Sequence, residues 1–134
     1  MLDYFDNSGI VHRGLDPRNI QIVRDDIDDV QQVLIKDFSD ARIIYPNQKI
    51  DKNEFCGEVP YVSPEMCGRF DYGKETDMWS LGIIFYQLLA RRIPFESYSK
   101  ASSLQKIMYE DLDLDFVTNW FSDQFTEKAQ SLLK

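Results

Sequence analysis

Four stretches decide how this chain is read: His12-Arg13-Gly14-Leu15-Asp16-Pro17-Arg18-Asn19, Asp37-Phe38-Ser39, Cys56-Gly57-Glu58-Val59-Pro60-Tyr61-Val62-Ser63-Pro64-Glu65 and Asp77-Met78-Trp79-Ser80-Leu81-Gly82. Each is short and polar-rich, and the segments between them carry the structural patterning. After the first, residues 20–23 and 33–36 are rich in β-branched residues and read as two short strands. Between them Arg24-Asp25-Asp26-Ile27-Asp28-Asp29 is dense in carboxylates. A calcium loop needs a central Gly and a terminal Glu, which are missing, so this reads as a solvated hairpin tip. Residues 41–45 suggest a third strand, followed by an irregular stretch to Glu65.

Helical patterning takes over from there. Residues 78–90 are apolar on nearly every side, with Thr76 suited to cap the start, Arg91 and Arg92 suited to the negative end of the dipole, and Pro94 to stop the helix. The run is short of the ~20 apolar residues a membrane span needs, so it reads as a buried central helix. Leu104, Ile107 and Met108 recur at helical spacing. Thr126 can cap a last helix carrying Ala129, Leu132 and Leu133. Residues 1–7 look helical, and Asn7-Ser8-Gly9 breaks that helix. Both chain ends read as helices cut through.

Composition narrows the function classes. At 43% apolar the 134 residues can build one core, and disorder is excluded as the general description. The net charge of −8 argues against nucleic-acid binding, which needs a basic face, and against a polybasic membrane anchor. Cys56 and Cys67, with His12 the only histidine, make neither a zinc set nor a disulfide framework. With no secretory leader, a cytoplasmic protein with reduced thiols is expected.

In order and spacing the four stretches resemble the eukaryotic protein kinase family. They correspond to its catalytic loop, its Asp-Phe-Gly triplet, its substrate-side loop ending Ala-Pro-Glu, and the central helix of its C-terminal lobe. Phe116, Trp120, Phe125-Thr126 and Ala129 look most like the calmodulin-dependent group of serine/threonine kinases. The resemblance implies an α+β protein-kinase-like fold: a mainly helical C-terminal lobe with a small β-hairpin. Residues 1–134 would form a partial kinase domain, from the end of helix E to the start of helix H. The N-terminal lobe, with its glycine-rich loop, strand lysine and helix glutamate, is expected to be absent.

Carried over residue by residue, the resemblance implies lost chemistry. The family's catalytic Asp is here Gly14, which has no group for general-base work. The family's Lys two positions on is here Asp16. A carboxylate about 4 Å from a phosphate charge would repel it by about 4 kcal/mol at an effective dielectric near 20, a large loss even after metal screening where catalysis is mostly electrostatic. Asn19 and Asp37 match the magnesium positions and offer oxygen ligands for a metal bridging ATP phosphates. Their structural alternatives are that Asn19 ties the loop backbone and Asp37 pairs with a lysine. Gln21 stands at the nucleotide floor, usually apolar. Ser39 replaces the Gly that takes positive φ easily, and Glu58 replaces a Thr that braces the catalytic loop.

The remaining matches suit architecture. His12 and Phe38 resemble stacked residues linking loop to core. Asp77 resembles the buried carboxylate that holds the loop backbone, with Trp79 beside it. Arg13 in the family can pair with a phosphorylated activation loop. Residues 37–65 contain no Thr, leaving Ser39, Tyr45, Tyr61 and Ser63 as acceptors. In the family Glu65 meets an Arg beyond the last helix read here, and that partner is expected to be absent. The expected function is a pseudokinase that binds a protein partner through the substrate-side loop and the helix around Leu104–Met108, with magnesium and ATP binding weak or lost. The rival is a piece of a longer ATP-dependent serine/threonine kinase.

Overall fold

The computed structural model describes residues 2–26 and 29–114. Helix α1 (Leu2–Ser8) ends at Gly9, whose φ of 67° turns the chain, and a Cβ there would run into the Ile44 carbonyl oxygen. The turn delivers β1 (Ile10–Val11). After it come the loop from His12 and a 3-10 turn over Pro17–Asn19, then β2 (Ile20–Asp26) and β3 (Asp29–Ile35).

β2 and β3 form an antiparallel hairpin in which Ile20 faces Ile35, Gln21 faces Leu34 and Ile22 faces Val33. Because neighbours on a strand point to opposite faces, Ile20 and Ile35 reach the main core while Gln21 and Leu34 lie on the other side. The hairpin is longer than the expected segments and ends at Ile35, one residue short of expectation. The extra pairs continue through irregularities around Arg24 to Asp26 opposite Asp29, which lie within the carboxylate-dense stretch. The expected third strand shrinks to β4 (Arg42–Ile43), which pairs with β1 and not with the hairpin. Its register follows from the Gly9 turn, since Ile44 N–H donates to the Gly9 carbonyl.

A 3-10 turn over Val59–Tyr61 leads to α2 (Pro64–Cys67), then α3 (Glu75–Ala90) and α4 (Lys100–Tyr109), the last capped by Ser99, which accepts from Ser102 N–H. Helix α3 starts before the expected residue, and Thr76 is not its cap. Thr76 lies inside the first turn, fully buried, hydrogen-bonded to Ser63 Oγ at 2.8 Å and donating to Met66 Sδ. Nor is α3 buried on every side. Its inward stripe includes polar Thr76, Asp77 and Ser80 with Ile83, Ile84 and Tyr86, whereas Met78, Leu81 and Leu88 are exposed beside an apolar groove of about 300 Å³. Apolarity alone could not order the faces, because the polar residues facing inward have partners there.

The main core joins Leu15 of the loop to Tyr61, Val62, Ile83, Ile84, Phe95 and Ile107, and a second cluster holds Val11, Ile44, Ile50, Met66 and Tyr72. The expected last helix capped by Thr126, and the tail positions from Phe116 to Ala129, lie outside the described residues. No helix among the described residues is long and apolar enough to cross a membrane. Leu15, 2% exposed, ties the loop to the core. Leu15→Ala is expected to cost about 2–5 kcal/mol in urea unfolding, whereas Tyr98→Ala, at an exposed position, should stay within about 0.5 kcal/mol.

Candidate functional site

The site is the loop from His12 to Asn19, held from below by α3. Asp77 on the first turn of α3 accepts the His12 N–H at 2.6 Å and the Arg13 N–H at 2.8 Å. These bonds grip a residue in an unfavourable conformation, for Arg13 has φ 66°. Burial pushes the Asp77 carboxyl above its ordinary pKa, and the two N–H groups pull back.

His12 is wholly buried. Its Nε2 lies 3.0 Å from the Lys36 carbonyl, which can only accept, so that nitrogen carries the proton. Nδ1 then accepts the Gly14 N–H at 3.3 Å. With both ring nitrogens occupied, His12 joins the loop to β3's end and has no free basic atom. Phe38 meets its ring edge-on at 4.8 Å and Phe5 stacks at 6.3 Å.

Gly14 presents no functional group, although a Cβ there would approach only the His12 ring at 3.8 Å. A Cβ would be in ordinary contact there, so backbone geometry does not demand glycine. Asp16 is buried and caps the 3-10 turn by accepting Arg18 N–H at 2.7 Å. Arg18 also donates to it through Nε at 3.1 Å and Nη2 at 2.9 Å, and reaches Glu58 at 3.1 Å. The repulsion calculated for a bare carboxylate is therefore not what this loop presents: Asp16 is ion-paired. Burial raises its pKa, but Arg18's hydrogen bonds and charge outweigh that and leave it below the ordinary value, a poor displaced base. Glu58, which stands where the family has a Thr, meets the loop only through its exposed ion pair with Arg18.

Asn19 donates from Nδ2 to the Gly14 carbonyl at 2.8 Å, so it does tie the loop backbone. Its own carbonyl accepts the Lys36 N–H at 2.8 Å, which brings Asn19 and Asp37 to the same end of the hairpin. Among the described residues Asp37 has no lysine partner. Its Oδ1 accepts the Ser39 hydroxyl at 2.7 Å and the Ser39 N–H at 3.3 Å, which lowers its pKa. The positive φ of the triplet, 59°, belongs to Asp37 and not to Ser39, so the missing glycine imposes no strain at position 39. The Asn19 side-chain carbonyl and Asp37 are oxygen donors of the type magnesium takes. No cluster of three or more His, Cys, Asp or Glu residues that could hold a metal occurs among the described residues.

Gln21 is exposed on the face of the hairpin turned from the core. Trp79 stacks on Phe95 at 6.1 Å and leaves its buried Nε1 without a hydrogen bond among the described residues. Glu65 lines a groove of about 650 Å³ with Cys67, Phe70, Met108 and Tyr109. Burial pushes the Cys67 thiol up to about 11 and raises Cys56, so both are protonated near neutral pH. Of the helix expected to offer a docking face, Leu104 and Ile107 pack into the core instead, while Met108 and the following Tyr109 line that groove.

Sequence reasoning missed Arg18 as the partner of Asp16, though a spacing of two across a capped turn was a usable signal. It also missed the ring around Arg13. That guanidinium donates to the Asp40 carbonyl, to Glu54 at 3.0 Å and to the Tyr72 hydroxyl at 2.9 Å. Partners so distant in sequence leave no local signal.

A loop gripped from a central helix, an Asp-Phe triplet against its histidine and a hairpin between them define a kinase-type C-terminal lobe. A model of the protein kinase domain matches residues 1–134, and the chain belongs to the protein kinase family. It is 34% identical to the 3-phosphoinositide-dependent protein kinase 1 of Rattus norvegicus over 99% of this chain and 22% of the relative. It is 36% identical to sperm motility kinase 2B of Mus musculus over 83% of this chain and 21% of that protein. To the serine/threonine-protein kinase PKH2 of Candida albicans it is 34% identical over 79% of this chain and 12% of the relative. The chain thus spans about a fifth or less of these relatives' lengths.

Two outcomes are expected here. Asp77→Ala leaves two buried N–H donors unpaired and should cost about 2–6 kcal/mol in denaturant unfolding. Asp16 sits below its ordinary pKa of 3.8 when folded, so the unfolded chain takes up the proton first as pH falls. Its contribution is complete above that pH and disappears below it. Asp16→Asn should be less stable than the parent at pH 7, and the two unfolding curves should converge on acidification below 3.8.

Proposed function

We propose that this segment is a pseudokinase lobe: it keeps the kinase loop architecture, does not transfer phosphate, and serves as a protein-binding surface. The carrying observation is that Gly14 offers no base while Asp16, the nearest carboxylate along the loop, is bound by three hydrogen bonds from Arg18. A base held below its normal pKa in an ion pair cannot readily take a hydroxyl proton. For a partner, the groove of Glu65, Cys67, Phe70, Met108 and Tyr109 combines a carboxylate with exposed aromatic surface and is a better docking face than the helix as first read.

Asn19 and Asp37 are the residues that would hold magnesium. With ATP bound, that ion would offset phosphate charge; Asp37 would keep one oxygen on Ser39, and Asn19 would go on bracing the Gly14 carbonyl. Their shared place at the hairpin end favours the second reading, a piece of a longer ATP-dependent serine/threonine kinase, in which nucleotide binding survives. A calmodulin-dependent-type ancestry remains part of the proposal and rests on the tail positions, whereas the relatives above are a phosphoinositide-dependent kinase, a sperm motility kinase and a fungal serine/threonine kinase by name.

The native protein purified from its source, given labelled ATP, magnesium and a general serine/threonine substrate, should transfer no phosphate above background. Transfer that Asp37→Ala abolishes would overturn the pseudokinase reading in favour of the second.

A further inference from the structure

The loop from His12 and the substrate-side loop meet at two points. At the first, Gly57 takes φ 85° and lies against the loop backbone, where a Cβ would stand 2.6 Å from the Arg13 carbonyl oxygen. At the second, Arg18 Nη2 is 2.9 Å from Asp16 Oδ2 and 3.1 Å from Glu58 Oε2, so one nitrogen joins a carboxylate of each loop. Gly57 and Glu58 are consecutive, whereas Gly14 and Leu15 lie between Arg13 and Asp16. Both walls are rooted in the main core, one through Leu15 and the other through Tyr61 and Val62. An extended peptide needs about 5 Å on each side before the next main chain. A shared nitrogen leaves only about two hydrogen-bond lengths between the carboxylates.

The guanidinium is held unequally at its two ends. The Asp16 side chain is 5% exposed and takes three hydrogen bonds from Arg18, so breaking that end leaves a buried carboxylate unpaired. Glu58 is 41% and Arg18 70% exposed, and a single ion pair between such groups is weak and screened by salt. Glu58 precedes its own 3-10 turn yet gives that turn no side-chain hydrogen bond, so its carboxylate is free to reach across. We propose that Arg18 is a strap over the cleft between the two loops: anchored on Asp16 and latched on Glu58, it keeps a peptide from lying along Gly14 until the latch opens. This goes beyond the pseudokinase reading and holds whether or not the segment transfers phosphate.

The experiment is alkylation of Gly14→Cys in the 134-residue chain by iodoacetamide and by a maleimide carrying a polyethylene glycol chain, read at residue 14 by peptide mass spectrometry. A strap slows the bulky reagent and not the small one, so the ratio of the two rates reports it free of any change in thiol reactivity. Adding Glu58→Gln should raise that ratio about threefold, the effect of losing one exposed ion pair. High salt should do the same while Glu58 is present and nothing further once it is replaced. An unchanged ratio in Glu58→Gln overturns the proposal, as does an equal salt response with and without Glu58. If Gly14→Cys yields no folded protein, backbone hydrogen exchange takes its place. Glu58→Gln should then speed residues 58–62 about threefold and leave residues 17–19 at the parent rate; no change, or an equal change in both stretches, overturns the proposal.

Discussion

The carboxylate of Asp77 is the fastening on which the rest of the molecule depends. It is buried near the start of α3, at a desolvation cost, and it captures two successive N–H groups of the loop. Arg13 can hold its left-handed conformation only because such bonds compensate the strain. That conformation sends consecutive side chains in different directions. The His12 ring goes to the end of the hairpin and the Arg13 guanidinium goes under the following segment. Helix, hairpin and irregular segment are therefore positioned from one point.

Two chains of alternating charge extend from that loop. On one side Asp16, Arg18 and Glu58 form carboxylate, guanidinium and carboxylate. On the other, Arg13, Glu54 and Arg42 form the opposite sequence of signs. Each surrounds a buried ion with two or more hydrogen bonds, the condition under which burying charge is tolerable. The first chain occupies Asp16, the carboxylate nearest to Gly14 along the loop. The second uses up the arginine that could otherwise await a modification. The loop thus has kinase geometry but few groups free to react.

Much of this was legible in one dimension. The apolar runs at positions 20–23 and 33–36 mark the two strands of the hairpin, and the spacing of Leu104, Ile107 and Met108 marks α4. The likeness of four ordered motifs located the loop, the triplet and Asp77 together. Less local features were misread for physical reasons. Thr76 has the chemistry of a cap, but a hydroxyl and a thioether from α2 and its approach compete for it. Residues 41–45 read as a third strand, but only Arg42 and Ile43 pair, because the short β1 left by the Gly9 turn is the edge within reach. Asp16 read as an exposed repulsive charge because its partner's orientation depends on the 3-10 turn between them.

The sequence by itself determined which elements form and which chemical groups exist: a kinase-type order of motifs, a glycine at position 14 without a side chain, and oxygen-bearing side chains at Asn19 and Asp37. Those follow from side-chain identity and near-neighbour periodicity, which act over a few residues. Only the tertiary structure decided which charges neutralise one another and which faces stay open, including the exposed stripe of α3 and the placing of Glu54 against Arg13. Those choices arise because burial makes an unpaired charge or polar group costly, and the partners that relieve it are brought in from distant parts of the chain.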